Sequence, residues 1–152
     1  EPLFRGVSKE TNEWVYGFGW FKTDYTEEYL KALGKIEQDA VLYTNSGPVL
    51  CYLDSMGEWT GLRDNKKTDE FPDGQMIFEG DIVEFNDFDS LRTGGYTSDN
   101  IVRGKVVFAY GGWLVESKVA DYDLYSAIIN DDEFEIISNI YENPELLEGA
   151  TE

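Results

Sequence analysis

Lys105-Val106-Val107-Phe108-Ala109-Tyr110-Gly111-Gly112-Trp113-Leu114-Val115-Glu116 reads as two apolar runs around a glycine pair. Strands over 105–110 and 113–116 follow from the alternation of side chains, which pleats one set to each face. A glycine pair between such runs predicts a tight hairpin with both Gly111 and Gly112 at positive φ. Upstream, Ile82 to Phe85 gives another strand, entered through a bend at Glu79-Gly80-Asp81. Downstream, 122–129 reads as a short helix and 134–141 as a final strand. Residues 77–142 thus hold about five short strands with tight turns, the pattern of a small SH3-like barrel.

The N-terminal part is β-rich as well. Residues 3–7 and 14–21 form a hairpin, and Trp14, Tyr16, Phe18 and Trp20 point to one side of its second strand. Gly17 and Gly19 lie on the other side, where they admit a close backbone. A helix is expected over 24–33, capped by Asp24 with Glu27 at the third position and stopped at Gly34. Strands at 40–44 and 49–53 follow. The fold class is mainly β with minor short helices, in two small subdomains: 1–63 and 77–142. A polar loop over 64–76 connects them, and an acidic turn and tail complete the chain over 143–152. Asn143-Pro144 reads as a helix start, with Asn as cap and Pro in the first turn.

Composition narrows function more than it assigns it. With 41% hydrophobic and 15% aromatic residues, the 152-residue chain has enough apolar surface to fold. Its 31 acidic and 12 basic residues leave a net charge of −19, which repels phosphate backbones and argues against direct nucleic-acid binding. The bland reading of this charge is a solvated surface; the sharper one is an acidic face that docks on a basic partner or imitates DNA. There is no His and one Cys, so Ser-His-Asp chemistry, cysteine zinc sites and internal disulfides are excluded. Cys51 lies in Val49-Leu50-Cys51-Tyr52-Leu53 and reads as a small core residue. With no signal peptide or long apolar span, the expected location is a reducing cytoplasm, away from membranes.

No motif points to catalysis. The loop carboxylates Asp87/Asp89 and Asp131/Asp132/Glu133 are what this charge scatters over any surface. After Asp64, the calcium-loop positions fall on Lys66 and Thr68, which are poor ligands. Catalytic, cofactor-binding and metal-binding residues are all expected to be absent. The candidate interaction surface is instead Trp14, Tyr16, Phe18 and Trp20, together with Leu146 and Leu147 of the terminal turn. Core packing is the better reading of those rings, since aromatics are the main burial source in a small domain, and a protein-binding or self-association face is the next. Gly61, Gly80, Asp81, Gly111, Gly112, Asn143 and Pro144 are assigned to structural turns.

Four stretches, in order, resemble the YopX family of phage and prophage proteins. The first is Phe4-Arg5-Gly6 with Glu13-Trp14-Val15-Tyr16-Gly17; the second is Trp59-Thr60-Gly61-Leu62-Arg63-Asp64. The third is Ile77-Phe78-Glu79-Gly80-Asp81-Ile82-Val83. The fourth runs from Glu135 through Ser138-Asn139-Ile140-Tyr141-Glu142-Asn143-Pro144 to Leu147. Ser138 stands where the family often has Gly, residues 65–75 are longer and more acidic than its usual turn, and 22–57 matches no family string. The resemblance implies a small, mostly β accessory protein of Gram-positive phages or prophages, and it brings no catalytic residue with it. The leading expectation is a non-enzymatic interaction module that binds a protein partner or itself. An acidic DNA mimic that inhibits a host DNA-binding protein is the alternative, and an undetected enzyme a distant third.

Overall fold

The structure, a computed structural model, describes residues 1–87 and 100–148. Asp89, the Gly94-Gly95 pair and the last four residues lie outside that range. Among the described residues there are twelve strands, three short helices and one 3-10 turn, so the fold is mainly β. The chain divides into two compact units, Glu1–Trp59 and Thr60–Glu152.

In the first unit, β1 (Phe4–Val7) pairs antiparallel with β2 (Trp14–Gly17) on one side. On its other side β1 pairs with the start of β6 (Gly57–Arg63). A second sheet has the order β3 (Gly19–Lys22), β4 (Asp39–Thr44), β5 (Gly47–Tyr52). Ala40, Leu42 and Cys51 are fully buried, and Phe4, Val15, Val49, Leu53 and Met56 pack against them. The sheets approach closely at Gly6, where a Cβ would lie 3.2 Å from Cys51 Cβ of β5.

The run 14–21, expected as one strand, is two. Gly17 still pairs with Phe4, but the Phe18 N–H donates to Tyr43 O at 2.9 Å, so the chain changes sheets at Phe18. Gly17 permits the change: a Cβ there would stand 2.3 Å from Tyr43 O. Alternation of large and small residues is the same on both sides of such a switch, which hides it from a periodicity reading. The helix α1 (Glu27–Leu33) starts later than expected. Its cap is Thr26, whose Oγ1 accepts from Tyr29 N, and Gly34 at φ 71° ends it.

The chain enters the second unit within β6. Thr60 Oγ1 donates to Ile77 O at 2.8 Å, beside β7 (Met76–Phe78). Next come β8 (Asp81–Asn86), β9 (Ile101–Ala109), β10 (Gly112–Ser117) and β11 (Asp121–Asp123), then α2 (Leu124–Asn130) and β12 (Glu135–Asn139). The sheet order is β11-β10-β9-β8-β12, a meander whose last strand returns beside its first. Among the described residues β11 and β12 each pair with one neighbour in this sheet, so its five strands do not close into a barrel. Its core is aliphatic and aromatic: Val83, Val106, Val115, Leu124 and Phe134 are fully buried, and Phe85 stacks on Phe134 with centroids 5.4 Å apart. The polar segment 64–76 lies in this unit, pinned by Asp64, whose carboxylate accepts from Gln75 N at 2.8 Å and Ile136 N at 3.1 Å.

The central hairpin forms one residue away from the expected turn. Ala109 pairs with Gly112, so the two-residue loop is Tyr110-Gly111, at φ 55° and 82°; Gly112 already belongs to the strand. That register places Val106 opposite Val115, both fully buried. Burying two valines contributes about 3 kcal/mol or more, against about 1–2 kcal/mol for holding Tyr110 in the left-handed region. Core burial sets the register, and the turn accepts a tyrosine.

Candidate interaction surface

The sheet β3-β4-β5 has two unlike faces. Register aligns Trp20, Leu42 and Val49 in one row and Phe21, Val41 and Leu50 in the next. Side chains alternate across a strand, so Leu42 and Ala40 fix the inner face and Phe21, Val41 and Leu50 share the outer one. Gly19, Tyr43 and Pro48 make the adjoining outer row. Phe21, Tyr43 and Leu50 are 50%, 48% and 40% exposed, and the Phe21 and Tyr43 rings lie 6.1 Å apart. Single exposed apolar residues are ordinary, whereas a contiguous patch marks a place where something docks.

The foot of this face is held by a buried carboxylate. Asp39, 1% exposed, accepts hydrogen bonds from Lys9 Nζ at 2.6 Å, from Lys35 Nζ and from the Tyr25 hydroxyl at 3.2 Å. Burial alone would raise the Asp39 carboxyl, but the hydrogen bonds from Lys35 and Lys9 outweigh it and hold the group below its usual range. The bond to Asp39 in turn holds Lys35 above the ordinary lysine value. Lys9 also lies over the Tyr52 ring and Lys35 over Tyr25, which contacts Tyr29 of α1. The carboxylate is therefore saturated by its own chain, as a structural clasp that ties α1 to the sheet. α1 buries none of its residues and leaves Tyr29 and Leu33 about half exposed.

The residues singled out in the sequence are dispersed. Trp14 is half-buried with the Arg5 guanidinium 4.4 Å over its ring, and Tyr16 projects from β2. Phe18 sits at the sheet switch, 45% exposed, and Trp20 lies at the rim of the inner face of β3-β4-β5. They form no single stripe. Phe21, Val41, Tyr43, Pro48 and Leu50 make the contiguous surface instead. The signal available for them was alternation in 40–44 and 47–52, but only the strand pairing shows which face stays uncovered.

Leu146 and Leu147 are half-buried on α3 (Glu145–Glu148), in the second unit. Arg103 Nη1 reaches Leu146 O at 3.4 Å and Lys118 Nζ donates to Glu148 O at 2.9 Å, which fastens the turn to its own sheet. The Asn143 side chain does not cap α3 as expected: its Oδ1 accepts from Ser138 Oγ and its Nδ2 donates to Glu145 Oε2. The Asn143 carbonyl accepts from Leu146 N, and Pro144 O from Leu147 N. Gly61 lies inside β6 at φ 87°. Gly80 turns at φ 92° ahead of Asp81, whose Oδ2 accepts from Phe78 N at 2.7 Å. Asp131 is a turn device too, accepting from Asn86 N and Glu133 N. Burial pushes the Cys51 thiol up to about 11, far from a reactive thiolate.

The strands carrying Phe4-Arg5-Gly6, Trp14 to Gly17 and the Gly80-Asp81 bend lie in the order the resemblance requires, and the family model for YopX protein matches residues 3–148. The chain belongs to the YopX family. No curated protein matches it. In this YopX chain the family strings fall on β1, β2, β6, the β7–β8 bend and β12, and the outer face of β3-β4-β5 lies between them, in residues 19–52. Among the described residues no helix is long and apolar enough to cross a membrane, and no three or more His, Cys, Asp or Glu side chains converge as a metal site.

Proposed function

We propose that this YopX protein is a non-enzymatic interaction module of phage or prophage origin. It works in the cytoplasm of its bacterial host and docks on protein through the outer face of β3-β4-β5. The observation that carries the reading is the contiguous apolar set Phe21, Val41, Tyr43, Pro48 and Leu50, all exposed except the half-buried Val41. Such a face stabilises an assembly by burial, at about 25 cal/mol per Å² of apolar area, and needs neither a cofactor nor nucleic acid. The acidic surface opposes contact with phosphate backbones. Docking by apolar burial is insensitive to salt, whereas DNA mimicry weakens as salt rises.

The test is capture from the host cytoplasm at low and high salt, with the wild type beside a Tyr43→Glu/Leu50→Glu variant. A protein, or the chain itself, retained at high salt by the wild type and lost by the variant supports the reading. Recovery only of DNA-binding proteins, only at low salt and equally by both, overturns it in favour of mimicry.

A further inference from the structure

The two edges of the β3-β4-β5 sheet are treated differently. Thr23 N donates to Asp39 O, and Lys9 N donates to Leu50 O on the outer side of β5. Hydrogen-bonding direction alternates along an antiparallel strand. Given the register, Pro48 and Leu50 turn their backbone groups away from β4, and so do Trp20 and Lys22 on β3. The β5 edge is closed: Lys9 occupies Leu50, Ser8 bridges Cys51, and Pro48 has no N–H to offer. Among the described residues the β3 edge has no strand beside it in the sheet order. Trp20, Phe21 and Lys22 are all exposed there.

We infer that β3 pairs antiparallel with β3 of a second copy of this chain, about a two-fold axis through Phe21. This rests on the docking reading of the outer face and names its occupant. Outward backbone groups must meet outward ones, so Trp20 lies opposite Lys22 of the second copy and Lys22 opposite Trp20. Phe21 stands opposite Phe21 at the axis, in the non-hydrogen-bonded position where side chains are closest. The pairing forms about four backbone hydrogen bonds and joins two three-stranded sheets into one of six.

Self-complementarity favours a second copy over a foreign strand. Lys22 is the single charge on β3, and in this register it meets an indole ring rather than another charge. A register shifted by one residue would bring inward and outward backbone groups together and place Lys22 among the outer-face rings. The same symmetry makes the outer rows of Phe21, Val41 and Leu50 continuous across the axis, an isologous contact that closes on itself. The bland reading of Lys22 is an edge guard. Against it stands the contrast with β5, where the guard is a proline and a strand-like bridge, and where no ring waits opposite.

Light scattering on the full chain tests the pairing. Wild type is expected at twice the chain mass. Phe21→Lys and Phe21→Glu, which place like charges at the axis, are each expected at the single mass, and their equimolar mixture returns to the double mass. Lys22→Pro removes an outward N–H without touching the ladder to β4 and is also expected at the single mass. It decides the matter if circular dichroism shows the Phe21 variants unfolded. Wild type at the single mass, variants that stay double, or a mixture that stays single overturns the pairing. A single-mass wild type that still captures another protein through Tyr43 and Leu50 overturns the pairing and leaves the docking face standing; loss of both removes the docking reading as well.

Discussion

Asp81 Oδ2 accepts the backbone N–H of Phe78 at 2.7 Å, across a bend in which Gly80 stands at φ 92°. Asp81 is 1% exposed, so its carboxylate satisfies a buried amide that water cannot reach. Gly80 N donates to Val106 O and Gly80 O accepts from Ile140 N, which ties the bend to β9 and to the end of β12. This family string is a joint between strands.

Gly80→Val forces a β-branched residue into the left-handed region and is expected to cost about 1–3 kcal/mol. A Cβ alone would meet Ile140 at an ordinary 3.5 Å, so the penalty comes from backbone conformation rather than collision. Chemical denaturation measures it. An unchanged midpoint would refute the assignment of this string to a turn.

Tyr110 is 96% exposed at φ 55°, where an L side chain is strained and this one packs on little. Tyr110→Asn is expected to stabilise by about 0.5–1 kcal/mol, since Asn tolerates this region. Gly111→Ala, at φ 82°, is expected to destabilise by about 1 kcal/mol. Thermal melts of the pair check the turn position: destabilisation by both substitutions would contradict it.

Asp39→Asn is expected to cost about 1–2 kcal/mol at neutral pH, by loosening Lys9, Lys35 and Tyr25 together. Because the folded carboxyl is depressed, its contribution is full above the unfolded value of about 3.9 and fades as pH falls through the folded value. Because Lys35 is raised, the same contribution fades as pH climbs past about 10.4 through its folded value. The gap in stability between wild type and variant is therefore widest between these limits and narrows at both ends. A gap that is constant from pH 2 to 7, a range set by these same carboxylate values, would show the clasp is not ionic.

Leu146→Ala with Leu147→Ala is expected to lower stability by about 1–2 kcal/mol, because half-buried leucines hold a turn too short to persist alone. Arg103 and Lys118 fasten that turn within its own unit, so the mass in solution is expected to stay unchanged. A change in mass without a change in melting temperature would place α3 at a subunit contact instead.

Much of this architecture is legible in the sequence, for local reasons. The strands around Gly111 declare themselves by alternation, and Gly80-Asp81 by the side-chain preferences of a bend. The slide of the hairpin to Tyr110 was not legible, because it is decided by Val106 meeting Val115 across the sheet. Nor was the sheet switch at Phe18, since a strand that changes partners keeps its period of two. The outer face gathers Phe21, Tyr43 and Leu50 from three strands, and the clasp gathers Lys9, Tyr25, Lys35 and Asp39 from four segments. Spacing within any one segment carries no trace of either. Trp20 and Phe21 look equivalent on paper; pairing with β4 puts one at the rim of a core and the other on an open face.

The measurement that bears most directly on the docking face is site-specific photocrosslinking in the expressing host. A photoreactive phenylalanine analogue replaces Tyr43 in one chain and Tyr110, which is 96% exposed in the other unit, in a second. Position 43 is expected to give a discrete adduct that includes the chain crosslinked to itself, retained at high salt and lost when Phe21→Glu is added. Position 110 is predicted to give only background. Equal, diffuse labelling from both positions would contradict the claim that the outer face of β3-β4-β5 is where this protein meets its partner.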